Sequence, residues 1–184
     1  MGFLLGTLLG TFIAILLWWS ATLSRIFDPY LVVLNALPKI ALGPILIVWF
    51  GAGMKSIIVM GLLISLVVTI MTVLAGFNAI TDEKQLLMRT LGASKLQILT
   101  MAVLPASVPT IMSALKISVG MSWVGVIVGE YLVSKAGLGY LIVYGGQVFN
   151  LDLVMASIVI LCVLAALMYY AVAYLERRIG QRMV

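Results

Sequence analysis

Residues 54–77 read MKSIIVMGLLISLVVTIMTVLAGF, and Lys55 is the only charged side chain among them. A helix needs about 20 mostly apolar residues to cross a bilayer, so this run is long enough and apolar enough to do so. No proline interrupts it. We therefore predict an unbroken transmembrane helix over this range.

The composition of the whole chain is that of a membrane protein. Of its 184 residues 64% are apolar or aromatic and 9% are charged, whereas soluble domains have about 45–50% and about 25%. The mean hydropathy is +1.26. Too little polar surface remains to cover a water-soluble globule, which excludes soluble enzymes, nucleic-acid-binding proteins and disordered linkers.

Apolar segments on both sides of this run predict an all-α polytopic fold with about five transmembrane helices, at residues 2–23, 30–50, 54–77, 107–133 and 151–174. The second segment is interrupted by Pro38, Lys39 and Pro44. Residues 78–106 form a long loop, and residues 175–184 form a tail.

Basic residues predict the orientation, because cytoplasmic loops carry an excess of lysine and arginine. The loops after the first and third segments, together with the tail, hold seven of them: Arg25, Lys84, Arg89, Lys95, Arg177, Arg178 and Arg182. The opposite side holds Lys55 and Lys135. We therefore expect the 78–106 loop and the C-terminal tail on the cytoplasmic side of a plasma (inner) membrane.

Two segments carry small residues at helical spacing. Gly2, Gly6 and Gly10 lie four residues apart in the first segment, and Gly125 and Gly129 repeat the spacing in the fourth. Such glycines let helix backbones approach closely in a membrane. They predict a tightly packed bundle rather than a ligand site.

The chain has no histidine, and Cys162 is its only cysteine. These counts exclude disulfides within the chain, Cys/His metal sites and a Cys–His nucleophile pair. We expect Cys162 to be a small buried apolar residue. No catalytic, metal-binding or cofactor-binding residues are predicted.

Residues 78–106, NAITDEKQLLMRTLGASKLQILTMAVLPA, do not have the composition of an ordinary loop. Thr81 can cap a helix whose first turn is acidic. The apolar face of this helix consists of Leu86, Leu87 and Leu91. Gly92 can supply the left-handed conformation that ends it.

A second short helix is predicted directly afterwards. Ser94 and Gln97 have the spacing of a capping box, and the apolar residues that follow are Leu96, Leu99 and Met101. Pro105 and Pro109 close the unit and open the fourth segment, because proline is tolerated in a first helical turn. Two interpretations of the leucines stay open: an amphipathic hairpin on lipid, or a docking element for a soluble subunit.

The loop also resembles that of a known family. A glycine followed thirteen residues later by the proline of a Leu-Pro pair is similar to the EAA loop of permease subunits in binding-protein-dependent ABC importers, and here it reads Gly92-Ala93-Ser94, then Leu104-Pro105. Three other stretches resemble the nitrate/sulfonate/taurine-type branch of this type I family: ALPKIALGPILIVWFG at 36–51, KISVGMSWVGVIVGEYL at 116–132 and GLGYLI at 137–142.

The resemblance implies a permease domain over residues 1–178 with a two-helix coupling loop. It implies that two permease subunits, which we expect to be two copies of this chain, sit on two ATP-binding-cassette ATPase subunits, and that an external binding protein delivers the solute. The residues expected to couple to the ATPase are Leu86, Leu87, Arg89, Leu91, Gly92, Ala93, Ser94, Leu96 and Pro105.

The chain departs from the family pattern in two places. Leu86-Leu87-Met88 stand where the family has Glu-Ala-Ala, so the apolar docking face is kept without that glutamate. Family members usually begin with a further membrane helix before the first segment of this chain. We therefore expect either a five-helix core or an incomplete start.

ATP is expected to bind to another polypeptide. The chain has no G-x-x-x-x-G-K-[ST] sequence, and the nearest string, at residues 51–56, lacks the Gly-Lys pair. ATP and Mg²⁺ would then belong to the partner ATPase, and this chain would need no cofactor.

Three residues of the fourth segment form a stripe that suits a solute path. Lys116 and Glu130 are about 21 Å apart along a helix and within about 40° of one face, with Trp123 midway. Ionisable residues in spans usually face protein or a water-filled path, so Lys39 is a fourth candidate, and a lysine there would favour anionic solutes such as sulfonates. Alternatively, Lys116 and Glu130 extend to the two membrane interfaces.

Two other functions fit parts of the sequence. A secondary transporter or half-transporter driven by an ion gradient could use Glu130 as its ion or proton site, and would explain the broken second segment. It gives no reason for a cytoplasmic pair of capped helices. An assembly subunit without transport activity would explain the glycine spacing, but it leaves the charges within the spans unexplained.

Overall fold

A computed structural model of the chain describes residues 2–133 and 135–180. All regular elements in these ranges are helical, which confirms the predicted all-α fold. The α-helices are α1 (Gly2–Trp19), α2 (Ala21–Ala36), α3 (Gly43–Phe50), α4 (Met54–Asn78), α5 (Asp82–Thr90), α6 (Lys95–Ile98), α7 (Leu104–Val133), α8 (Leu138–Gln147) and α9 (Leu151–Gly180). A 3-10 turn (Lys39–Leu42) precedes α3, and a π turn (Leu99–Val103) joins α6 to α7.

Four helices of the described residues are long and apolar enough to cross a membrane, and one bent pair would make a fifth. The four are α1, α4, the helix that runs from α6 through α7, and α9. This number agrees with the predicted polytopic fold of about five transmembrane helices.

The second apolar segment is bent rather than straight. The direction of the chain changes by 84° between α2 and the Lys39–Phe50 segment. Leu37, which precedes Pro38, has the extended backbone (φ −65°, ψ 130°) that a following proline favours. The apolar segment expected at residues 30–50 is therefore broken after Leu37 into two helices, and the first of them already begins at Ala21.

The central helix is α4, which is buried along most of its length between α1 and α7. Glycines make the close approach possible. A Cβ atom on Gly125 would lie 2.5 Å from the Cα of Gly61, and one on Gly10 would lie 2.8 Å from Cγ2 of Thr69. A hydrogen bond of 2.6 Å between the buried hydroxyls of Thr69 and Ser118 then links α4 to α7.

The π turn makes one continuous rod of α6 and α7, 39 residues long from Lys95 to Val133. The prediction that Pro105 and Pro109 open the fourth span is confirmed for Pro105, which lies in the first turn of α7, whereas Pro109 lies inside the helix. Neither proline closes the preceding helix, because the π turn continues it into α7. Because proline has no N–H, the continuous rod lacks the backbone hydrogen bonds that positions 105 and 109 would otherwise donate to the preceding turn. The side chains of Leu99 and Val103 in the π turn are buried in the main core.

The last helix, α9, is largely exposed. In its most apolar stretch of 18 residues, only 6% of the residues are buried within the chain. Cys162 lies on this helix and is exposed. The expectation of a buried Cys162 is therefore wrong for the single chain. The local sequence is apolar, but the side that carries Cys162 has no neighbouring helix within the described residues.

Candidate functional site

Gly92 forms the turn between α5 and α6, and we call residues 82–98 the Gly92 hairpin. The φ of Gly92 is +84°, which confirms the predicted left-handed conformation. Its N–H donates to the Arg89 carbonyl and the Ala93 N–H donates to the Met88 carbonyl, each at 3.0 Å. These two bonds form a Schellman motif, which defines the angle between the two helices.

The two caps predicted for the hairpin differ in outcome. Ser94 Oγ accepts the Gln97 N–H, and the Gln97 side chain accepts the Ser94 N–H at 2.7 Å, which confirms the capping box. Thr81 occupies the N-cap position of α5, but its hydroxyl makes no capping hydrogen bond, so that part of the prediction is wrong. The turn and α6 are therefore tied more firmly than the start of α5.

The hairpin exposes an apolar surface that we call the leucine ridge. Its members, Leu86, Leu87, Leu91 and Leu96, expose 61, 61, 79 and 59% of their surface. On the opposite side Met88 and Ala93 pack against the main core, and Ile98 is buried in it. Large uncovered apolar side chains on a rigid element are typical of an interaction surface.

The residues predicted to couple to an ATPase divide into two groups. Arg89 and Ser94 are exposed beside the leucine ridge, and Gly92 forms its turn. Ala93 is half-buried and contacts the core instead. Pro105 lies beyond the π turn, in the first turn of α7.

Two cavities lie along α7, and Trp123 lines both of them. The Glu130 cavity has a volume of about 490 Å³ and lies among α1, α4, α7 and α9, with Val126 and Glu130 in its wall. The Lys116 cavity has a volume of about 360 Å³ and lies between α7 and α9. The predicted stripe of Lys116, Trp123 and Glu130 therefore borders two successive cavities.

Two polar atoms in the wall of the Glu130 cavity are buried without a partner in the described part of the chain. They are Ser122 Oγ and Trp123 Nε1. A serine in an apolar helix commonly bonds to its own backbone, as Ser65 does with the Gly61 carbonyl at 2.9 Å. Ser122 makes no such bond, and nothing in the sequence predicts that its hydroxyl is left unpaired. Unpaired buried polar atoms are uncommon and call for an explanation such as a water or a solute.

Lys116 forms an ion pair that the sequence did not predict. Its Nζ lies 2.7 Å from Oε2 of Glu176 in α9, and both side chains are about three-quarters buried (22% and 30% exposed). The only available signal was that Glu176 ends the last span at the same end of the bundle as Lys116. The pair neutralises the positive charge that Lys116 would otherwise bring to its cavity.

Glu130 contacts the start of α8, a helix that the sequence analysis missed. Its Oε2 accepts the Gly139 N–H at 2.7 Å. Gly137 has a φ of +113°, and a Cβ atom there would overlap the Glu130 carboxylate. A negative charge is favourable at a helix N-terminus, where unpaired N–H groups point toward it. Glu130 therefore lines the cavity and also anchors α8.

Lys39 lies apart from the α7 stripe. It begins the 3-10 turn after Pro38, and its Nζ donates to the Asn35 carbonyl in the last turn of α2 at 3.2 Å. The linings of the two cavities do not include it. Three of the four predicted path residues therefore line one or both of the two cavities, and Lys39 lines neither.

Comparison with known proteins covers nearly the whole chain. The family model described as "Binding-protein-dependent transport system inner membrane component" matches residues 6–181. A probable ABC transporter permease protein of Haemophilus influenzae is 35% identical over 97% of this chain and 73% of its own length.

Two relatives carry names that include a solute. The taurine transport system permease protein TauC of Escherichia coli is 29% identical over 94% of this chain. The putative aliphatic sulfonates transport permease protein SsuC of Bacillus subtilis is 35% identical over 97% of it. The chain spans 62% and 65% of the lengths of these two relatives.

The fold is also similar to a solved structure. An inward-facing structure of the MetNI methionine ABC transporter matches with a TM-score of 0.81 and 20% identity. The match covers 100% of this chain and 89% of that one. At this identity the likeness concerns the fold alone.

Proposed function

Because this chain belongs to the family of binding-protein-dependent transport system inner membrane components, we propose that two copies of it form the membrane-spanning part of an ATP-driven importer. It is a type I ABC importer permease of the nitrate/sulfonate/taurine type, a transport subunit rather than an enzyme. The observation that carries the proposal is the exposed leucine ridge, on a hairpin whose opposite side packs against the transmembrane core.

The leucine ridge is our proposed contact with the ATPase subunit. Movement of the hairpin would reach the membrane directly, because α6, the π turn and α7 form one rod. The residues proposed to contact the ATPase are Leu86, Leu87, Arg89, Leu91, Ser94 and Leu96. Of the other predicted coupling residues, Gly92 forms the turn of the hairpin, Ala93 packs against the core and Pro105 lies at the start of α7. ATP and Mg²⁺ would bind to the ATPase, and an external binding protein would deliver the solute.

The orientation proposed from the charges is supported by the ion pair at the end of α9. The Lys116–Glu176 contact brings the last turns of α9, with Arg177 and Arg178, toward the end of α7 that carries the hairpin. Basic residues of the hairpin and of α9 thus share one end of the bundle. Under the positive-inside rule this end, with the C-terminus, would be cytoplasmic.

The Glu130 and Lys116 cavities are our proposed solute path, which alternating access would open to each side in turn. The names of two relatives support a small sulfonate as the solute. The sequence argument for an anion rested on Lys39, and it loses force because Lys39 lies away from both cavities. The ion-driven alternative is also weaker, because the Glu130 carboxylate is already bonded to the start of α8.

A stoichiometric complex tests the assembly. We expect the tagged chain to co-purify with an ATPase subunit in a particle that contains two copies of each, because an isologous two-fold pair gives each hairpin its own ATPase. The uncovered face of α9 is available for the contact between copies or for lipid. The mass of the particle in nanodiscs measures the copy number, with untagged membranes as the control. A monomeric particle that still transports would contradict the homodimer.

Cysteine accessibility tests the proposed path. Val126 lines the Glu130 cavity, whereas Val128, on the same helix, packs against the core cluster of Leu46, Met60 and Ile64. In a Cys162→Ser background we expect Val126→Cys to react several-fold faster with a charged, membrane-impermeant thiol reagent than Val128→Cys. The rates are measured on the ATPase-bound particle, without nucleotide and after trapping with ATP and vanadate. If Val126→Cys and Val128→Cys react at equal rates, both without nucleotide and after trapping, the cavity is not part of a water-filled route.

A further inference from the structure

Lys95, the first residue of α6, lies against the end of α1, 76 residues earlier in the chain. Its Nζ donates a hydrogen bond to the Trp19 carbonyl. The same ammonium is 5.7 Å from the ring centroid of Trp18 and 5.4 Å from that of Trp19. One cation therefore contacts two indole rings and a backbone carbonyl, an arrangement that we call the Lys95 clamp.

The end of α1 has a specific need for this cation. The last carbonyls of a helix lack partners within the helix, and the partial negative charge there is stabilised by a basic side chain. The last turn of α1, residues 16–19, reads LLWW and supplies no basic side chain of its own. Lys95 provides the charge from a different element, and tryptophan rings are good cation–π partners.

The clamp sits at a joint between two helices. α1 ends at Trp19 and α2 begins at Ala21, with Ser20 between them in an extended conformation (φ −128°, ψ 108°). Ser20 Oγ accepts the Leu23 N–H at 3.3 Å and so caps α2. Within α2 only Leu31 is buried, so little other packing holds this helix in place. The position of α2 therefore depends strongly on the joint.

The hairpin can move Lys95 as part of a rigid unit. The Schellman turn at Gly92 and the Ser94–Gln97 capping box lock α5 to α6 just before and around Lys95. The hairpin continues into α7 through the rod, and it contacts the end of α1 through the Lys95 clamp. The hairpin is thus connected to the membrane helices by the covalent rod, by apolar packing of Met88, Ala93 and Ile98 against the main core, and by the Lys95 clamp. The clamp is the polar connection, and it lies directly at the end of α1.

We infer that Lys95 is a positioning residue that carries movement of the Gly92 hairpin to the α1–α2 joint. The inference rests on the proposed function, in which an ATPase moves the hairpin. Without the clamp, α7 would still follow the ATPase, but the α1–α2 joint would follow it less closely, since only apolar packing among the described residues would then connect the hairpin to α1 and α2. The bundle would then open incompletely although the ATPase remains bound.

Distance measurements on the ATPase-bound particle test this role. Spin labels at Leu23→Cys in α2 and Asn78→Cys at the end of the central helix, in a Cys162→Ser background, report the position of the joint. We expect their separation to change by roughly 2 Å or more between the nucleotide-free and the ATP–vanadate-trapped particle. Lys95→Met should reduce this change to less than half, and Lys95→Arg, which keeps the cation and a donor, should retain it.

Two comparisons separate this role from a purely structural one. Lys84→Met makes the same substitution at an exposed lysine of α5 and should leave the distance change intact. ATPase recovery should be equal in wild type, Lys95→Met and Lys95→Arg, because Lys95 holds the hairpin to α1 and not to the ATPase.

Each contrary result has a distinct meaning. A wild-type change that survives undiminished in Lys95→Met, or an absent change in a wild-type particle that does contain the ATPase, would overturn the clamp alone. Loss of ATPase from Lys95→Met would make Lys95 a docking residue and would also overturn the inference. Absence of any ATPase from wild-type preparations would overturn the proposed function together with it.

Discussion

Leu91→Asp should weaken the association of this chain with its ATPase subunit by about tenfold or more. Leu91 is the most exposed member of the leucine ridge at 79%, so the substitution leaves the fold of the chain itself intact. In the complex it would place a carboxylate in an apolar contact, where an unpaired charge is costly to desolvate. Losses of this size are typical of a residue at the centre of an interface.

Gly92→Val should have an effect of the same order by a different route. No atom lies within 4 Å of a Cβ built on Gly92, so the penalty is conformational and not steric crowding. A Cβ in the left-handed region costs roughly 1–2 kcal/mol. Leaving that region would break the two hydrogen bonds of the Schellman motif, at about 1 kcal/mol each. Because the two costs are similar, the turn would populate several conformations and present the ridge in one orientation less often.

The measurement is the affinity of the ATPase for the chain held in nanodiscs, at matched amounts of each variant. Gly53→Val is the control, since it also adds a side chain in open space but at an extended backbone (φ 168°). It should leave affinity unchanged. If Leu91→Asp and Gly92→Val both bind the ATPase as wild type does, the hairpin is a lipid-surface element and the proposed docking role is wrong.

Gly125→Ala should strongly reduce the amount and thermal stability of folded protein. The added Cβ would lie 2.5 Å from the Cα and 2.9 Å from the N of Gly61. These are backbone atoms of the central helix, which cannot rotate away as a side chain can. Carbon atoms prefer about 3.5–4.0 Å, so α4 and α7 would have to separate. Overpacking of this kind costs about 1–3 kcal/mol and sometimes more.

The separation would also strain the Thr69–Ser118 hydrogen bond, which lies two turns from Gly125 on the same helix. Gly120→Ala is the matched control, because it makes the same substitution on α7 where no atom lies within 4 Å of the new Cβ. Folded yield by size exclusion and the apparent Tm in detergent should be near wild type for Gly120→Ala and clearly lower for Gly125→Ala. Equal values for the two variants would contradict the close α4–α7 contact.

Features that depend on neighbouring residues were predictable. The left-handed Gly92 and the Ser94–Gln97 capping box each depend on residues within about one helical turn of each other, so residue types and their spacing are enough to predict them. The membrane location follows from long apolar runs, because no soluble fold can bury so many apolar side chains. The Thr81 cap is absent although its spacing is suitable and its backbone (φ −57°, ψ 143°) is similar to that of Ser94 (φ −70°, ψ 161°), so residue type and spacing do not determine whether a hydroxyl makes the bond.

Features that depend on pairs of distant residues were not predictable from spacing alone. Lys116 and Glu176 are 60 residues apart, and Lys95 and Trp19 are 76 apart. Either lysine, read by itself, could equally extend to a membrane interface. The role of Glu130 at the start of α8 was missed because α8 is too short to register as a span, although its N-terminal glycines were noted as part of a motif.

The amino-acid sequence by itself determined that the protein lies in a membrane, that its helices pack through glycines, and that a capped hairpin with exposed leucines interrupts them. These properties are set by composition and by local spacing, which survive in any arrangement of the helices. The tertiary structure alone decided that Lys116 pairs with Glu176, which cavities α7 borders, and that Lys95 of the hairpin contacts the end of α1. Such contacts exist only once α1, α4, α7 and α9 have packed, because a charged side chain in a membrane protein takes its partner from whichever helix lies beside it.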